Sequence, residues 1–84
     1  MQELNGGAYM RIEPFDMERD VLNVGDTVSI TEGKLPHAYY YTAEPAAAMS
    51  KNFTSENRIT SATGTVVSKT KIGASFIVEI EFDE

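Results

Sequence analysis

The segment from Ala74 to Phe82 alternates with a period of two. Ala74, Phe76, Val78, Ile80 and Phe82 fall on one side, with Ser75, Ile77, Glu79 and Glu81 on the other. Successive side chains of a strand point to opposite faces, so this pattern describes a strand with one buried face, whereas a helix would scatter its aromatics around the circumference. The preceding Gly64–Thr70 stretch is rich in β-forming residues, and Lys71-Ile72-Gly73 between the two supplies turn chemistry with a glycine free to take positive φ. A three-residue loop sets Val66 opposite Val78 and Ser68 opposite Phe76 on the core face, with Thr65 opposite Glu79 and Lys69 opposite Ser75 outside. A C-terminal hairpin with this register is therefore expected.

A second strand is predicted from about Val24 to Thr31, entered through the Gly25-Asp26 turn and closed by Glu32-Gly33-Lys34, with Pro36 opposing any direct continuation. His37 to Thr42 reads as a short strand. Pro45-Ala46-Ala47-Ala48-Met49-Ser50 has a proline suited to a first helical position and the best helix former behind it, so a short helical insertion is expected around residues 45–51. Residues 1–20 read as an N-terminal tail, mobile up to Ala8, in which residues 9–15 offer an edge strand that Pro14 weakens. Residues 21–84 read as one β domain. The fold class expected is all-β, mainly antiparallel: a small barrel or a strongly bent sheet.

The 84 residues allow a single domain, and 42% hydrophobic content is enough for a core. No stretch approaches the roughly 18 consecutive apolar residues of a membrane span. Cysteine is absent, which removes disulfides and thiolate sites and, with no signal-peptide pattern at the N-terminus, points to the cytoplasm. Seven basic residues face 13 acidic ones for a net charge of −6. The basic residues are scattered, which argues against direct nucleic-acid binding, because phosphate affinity comes from clustered Lys and Arg.

Leu22-Asn23-Val24-Gly25-Asp26-Thr27-Val28-Ser29-Ile30 resembles the opening strand of SH3-like small barrels, the KOW and Tudor relatives among them. Ala62-Thr63-Gly64-Thr65-Val66-Val67 leading into Phe76–Phe82 is similar to their Gly-x-Val hairpin. The likeness covers about residues 21–84 and rests on pattern alone. It implies a module that binds peptides, RNA or other domains through loops and one open face. The chain departs from nucleic-acid-binding members in being acidic and from proline-peptide binders in having no tryptophan.

Catalysis needs a nucleophile or base poised by a neighbour, and the single histidine, His37, has no second histidine to share a metal. No enzyme, metal or cofactor is expected. The binding candidates are His37, Tyr39, Tyr40 and Tyr41, with Phe53 further on. Tyrosine joins a rigid apolar face to a polar tip, and at least one of three consecutive tyrosines in a strand faces outward. The expected function is a non-catalytic protein-binding or accessory module. The alternative is a small acidic inhibitor or nucleic-acid mimic using Glu79, Glu81 and Asp83, which recur on one strand face about 7 Å apart. Ile77, with Val67 opposite it in the expected register, offers an apolar spot for a homodimer.

Overall fold

The alternating segment does form a strand, and it is the one that closes the sheet on itself. The computed structural model describes residues 10–44 and 47–84. Six strands follow in chain order: β1 (Arg11–Met17), β2 (Thr27–Leu35), β3 (Ala38–Glu44), β4 (Ala48–Ser50), β5 (Thr63–Ile72) and β6 (Ser75–Phe82), with one 3₁₀ turn at Ser55–Asn57. All pairings are antiparallel, and the order β1-β4-β3-β2-β5-β6 closes on itself through β1 and β6. The molecule is an all-β closed barrel of six strands. Closure removes most of the open edges that an unrolled sheet would present.

The inward faces supply the core. Phe15 and Met17 of β1, Tyr41 and Ala43 of β3, Val66 of β5 and Val78, Ile80 and Phe82 of β6 are essentially inaccessible, while Leu22, Phe53 and Ile59 close the barrel from its loops. Each large side chain buried this way contributes about 1.5–3 kcal/mol. Phe15 and Phe82 pack across the closing seam with ring centroids 6.2 Å apart. Gly64 keeps the wall thin where these rings need space. A Cβ there would stand 2.6 Å from Ile80 Cγ2 and 2.7 Å from Phe82 Cε1.

The β5–β6 hairpin forms, but its register differs from the expected one. The connection is the two-residue turn Gly73-Ala74, closed by Ile72 opposite Ser75, with Gly73 at φ +59°. Primed two-residue turns need positive φ at their first central position, which glycine gives without strain. Running that register inward would turn Val66 outward opposite Glu81. A bulge at Val67 prevents this: Ser68 pairs with Glu79, and beyond the bulge Val66 pairs with Ile80 on the core face. One extra residue on one strand restores the core alternation. Val67 is therefore unpaired, and Ile77 lies opposite Thr70 and Asp16, so the expected Val67–Ile77 spot is not a cross-strand pair.

Three further expectations are corrected. β2 does not stop at Glu32-Gly33-Lys34 but runs to Leu35, where the two-residue Pro36-His37 connection returns the chain as β3. Residues 48–50 are a strand rather than part of a helix: Thr42 pairs with Met49 and Ala43 with Ala48, and burial of Ala48 in the core outweighs the helical preference of alanine. Pro45 and Ala46 lie outside the described residues. β1 is not a tail, and it is an edge only over residues 11–14. It pairs with β6 along its whole length and with β4 at Phe15 and Asp16, so the barrel begins at Arg11 rather than at residue 21. Pro14 is tolerated because residues 11–14 pair with β6 alone, leaving one flank without a ladder to feed. The residues up to Ala8, and Tyr9, lie outside the described residues.

Candidate functional site

One mouth of the barrel is built from β2, β3 and the 55–61 loop. Tyr41 points inward from β3 and its hydroxyl does two things, donating to Glu32 Oε2 at 2.8 Å and accepting the buried Ile59 N–H at 2.9 Å. Arg58 grips the same carboxylate with Nε and Nη2 at 2.9 and 2.7 Å, in the bidentate geometry that suits guanidinium, and its Cζ lies over the Tyr39 ring, 4.4 Å from the centroid. The Arg58 hydrogen bonds, followed by that of Tyr41, hold the Glu32 carboxyl below its ordinary value. Burial, followed by the bond to Glu32, pushes the Tyr41 phenol up. At neutral pH the site holds an ionised carboxylate, a protonated phenol and a guanidinium, none of them close to its titration point. These groups line a shallow cleft of about 490 Å³ with Ile30, Thr60 and Ser61. Their donors and acceptors are largely spent on one another, so the arrangement fixes the loop.

A second cluster locks the same loop from the seam side. Glu84 Oε1 accepts both the N–H and the hydroxyl of Thr60, at 2.9 and 3.0 Å, and both the N–H and the hydroxyl of Ser61, at 2.7 Å each. Glu84 Oε2 pairs with Arg11 Nη1 at 3.0 Å, and Arg11 also reaches Glu13 and the carbonyls of Asn57 and Arg58. Partial burial alone would raise the Glu84 carboxyl, but the hydrogen bonds from Ser61, Thr60 and Arg11 prevail and bring it to about 2.

The tyrosine run is split by the strand's alternation. Tyr41 is in the core, and Tyr39 is half-buried between Arg58 and Phe53, with which it forms a bridge. Tyr40 alone faces outward, across from Gly33, and its ring occupies the space where a Cβ on Gly33 would stand. Phe53 is 6% exposed and packs edge-on against Tyr41, with Arg11 and Lys51 each 5.4 Å from its centroid. Tyr41 and Phe53 are thus core residues. His37 is exposed at the tip of the β2–β3 hairpin. Glu79 lies opposite Pro14 and Ser68, whose hydroxyl donates to it at 2.8 Å; Glu81 lies opposite Ile12 and Thr65; and Asp83 is exposed beyond the end of β6.

The register gathers residues around Tyr40 that the sequence did not single out. Leu35 pairs with Ala38, Gly33 with Tyr40 and Thr42 with Met49, and all of these turn outward, since Tyr39, Tyr41 and Ala43 turn inward. Leu35 is 39% and Met49 49% exposed, so an apolar strip crosses the outer face of β2, β3 and β4. The readable signal for it was a glycine within a strand pattern opposite an aromatic. Arg58 and Glu32 carried no such signal, because their partnership spans 26 residues.

Among the described residues, no group of three or more His, Asp or Glu side chains could hold a metal ion, and no helix is long and apolar enough to cross a membrane. Comparison of the chain with protein-family models, with curated proteins and with solved structures finds no significant match to any of them.

Proposed function

We propose that this chain is a non-catalytic binding module, a small barrel of SH3-like type that meets another protein through the outer face of β2, β3 and β4. The observation that carries this reading is the apolar strip centred on Tyr40 and continued by Leu35, Ala38 and Met49. A rigid aromatic resting on a glycine loses little freedom on binding, and clusters of aromatic and methionine side chains are what protein interfaces concentrate. The partner is a protein rather than a nucleic acid, since the strip carries no cation of its own and the chain has a net charge of −6. The SH3-like assignment rests on the strand pattern of residues 21–84 and on barrel closure.

The test is site-specific photocross-linking in cells of the source organism, with the photoreactive residue at Met49 or Leu35 and a control at Glu81. One defined protein adduct from the strip positions, absent from the control and competed by wild type but not by Tyr40→Ala, is the expected result. Equal labelling from Glu81, or labelling that Tyr40→Ala competes equally well, would overturn it.

A second reading is an acidic inhibitor that occupies a basic site. Its support is that the residues opposite Glu79 and Glu81 on both flanks, Pro14, Ser68, Ile12 and Thr65, are all uncharged, so no cation stands directly across from these carboxylates. Reversing Glu79 and Glu81 to Lys would abolish that activity and leave the Tyr40-dependent adduct intact.

A further inference from the structure

The barrel closes, but one strand is longer than the neighbour on one of its flanks. β5 accompanies β2 only over Thr27–Ser29, and one more hydrogen bond follows, from Ile30 N–H to the carbonyl of Ala62 at 2.9 Å. From Thr31 to Leu35, β2 pairs with β3 alone among the described strands. Successive residues of an antiparallel strand present their amide groups to opposite flanks. Because Ile30 points its N–H to the β5 side, Glu32 and Lys34 point theirs to the same flank, which no described strand occupies beyond Ile30. Thr31, Gly33 and Leu35 bond to β3.

We propose that this free flank pairs with the same flank of a second copy of the chain, antiparallel about Gly33. The occupant follows from the sequence of the edge, Thr31-Glu32-Gly33-Lys34-Leu35, which is charge-complementary to itself under a two-fold axis. With Gly33 on the axis, Glu32 faces Lys34 of the second copy, and Lys34 faces Glu32 of the second copy. These are the two residues whose N–H and C=O groups point outward, so each such pair exchanges two backbone hydrogen bonds. Gly33 then meets Gly33 of the second copy in the non-hydrogen-bonded position, where strands approach most closely, and neither carries a side chain there. A lone edge lysine repels its own copy and protects a sheet. Here the register sets a carboxylate opposite it. Glu32 already accepts from Arg58 and Tyr41 on its inward side, and the arriving ammonium is a further cation beside an ionised group. The contact is small, so the dimer is a weak one.

This pairing uses the flank of β2 and does not rest on the outer strip. It is read by sedimentation equilibrium of the full chain over a concentration series. A monomer–dimer equilibrium is expected, abolished by Lys34→Pro, which removes an outward N–H without touching the β3 ladder, and weakened about tenfold by Lys34→Glu, which sets like charges face to face. Near-UV circular dichroism checks that both variants keep the barrel. The register itself is read in a chain carrying Thr31→Cys and Leu35→Cys together, since these positions face each other between copies and no native cysteine competes. Mild oxidation is expected to give a covalent dimer, whereas Thr31→Cys alone, four residues out of register and so about 13 Å from its equivalent, is expected to give none. A chain that stays monomeric at about 1 mM, or one that dimerises but forms no cross-link in the double variant, would overturn the proposal whatever the outcome with Lys34→Pro. Retention of the Tyr40-dependent adduct in a monomeric Lys34→Pro variant would separate this pairing from the partner surface.

Discussion

At Glu84 a single carboxylate collects four donors from two consecutive residues and one from an arginine. Its ordinary value is 4.5 and its folded value about 2. A depressed acid is bound to fewer protons in the folded state than in the unfolded one, so its stabilisation is complete above 4.5 and is lost as the pH falls towards 2. Glu32, lowered first by Arg58 and then by Tyr41, titrates in the same direction. Glu84→Gln is expected to cost about 1–3 kcal/mol at neutral pH and to flatten the acid limb of stability, as measured by urea unfolding at neutral pH and at about pH 2.5. Tyr41→Phe keeps the ring and removes the hydroxyl, leaving the Ile59 N–H buried without an acceptor. A loss of about 1–3 kcal/mol in the same assay is expected. Gly64→Ala drives a methyl against Ile80, Phe82 and the carbonyl of Glu81, the last at 2.9 Å, and backbone cannot swing aside. It is expected to cost about 1–3 kcal/mol or more. Gly33→Ala meets only the free end of the Tyr40 side chain, so it is expected to displace that ring into solvent at a smaller cost, visible as a changed tyrosine near-UV signal.

Among the elements, those governed by neighbours in sequence were legible and those governed by distant chain were not. β6 announced itself by alternation, and the β5–β6 hairpin by its β-formers and Gly73. The hairpin's register was not legible, because the bulge at Val67 answers to the fit of Val66 against Ile80 inside the barrel rather than to the turn. Gly33 read as a terminator, although its role is to seat Tyr40 from the next strand. The alanines around residue 48 read as a helix, yet three residues there suffice to bridge β1 and β3, and the Ser50 hydroxyl accepts the Tyr41 N–H at 2.9 Å where the ladder parts. Of the site, the sequence placed an outward tyrosine in the run 39–41 but also offered Tyr41 and Phe53, which the barrel consumes as core. Gly73 sits at φ +59°, so Gly73→Ala is expected to lose about 1 kcal/mol while leaving the hairpin register unchanged, checked by urea unfolding and by cross-strand nuclear Overhauser contacts.

The whole molecule depends on its seam. β1 contributes Phe15 and Met17 to the core and is the strand that joins β6 to β4, so removal of residues 1–20 takes away structure rather than an appendage. Such a truncation is expected to abolish cooperative unfolding, as followed by far-UV circular dichroism against urea. The seam pairs Arg11 with Phe82, contacts far apart along the chain, and closure of that kind is slow: refolding in milliseconds to seconds is expected in stopped-flow fluorescence.

That seam also means that the barrel begins and ends at one spot, with Arg11 and Glu84 in direct contact. A unit whose entry and exit coincide behaves as a cassette. It can be spliced into a surface loop of a host protein without prising the host apart, and its ends can be joined by a short linker while the chain is opened instead at Gly73-Ala74. In such a circular permutant β6 and β1 would become a covalent hairpin, and the most distant contact in the fold would become a local one.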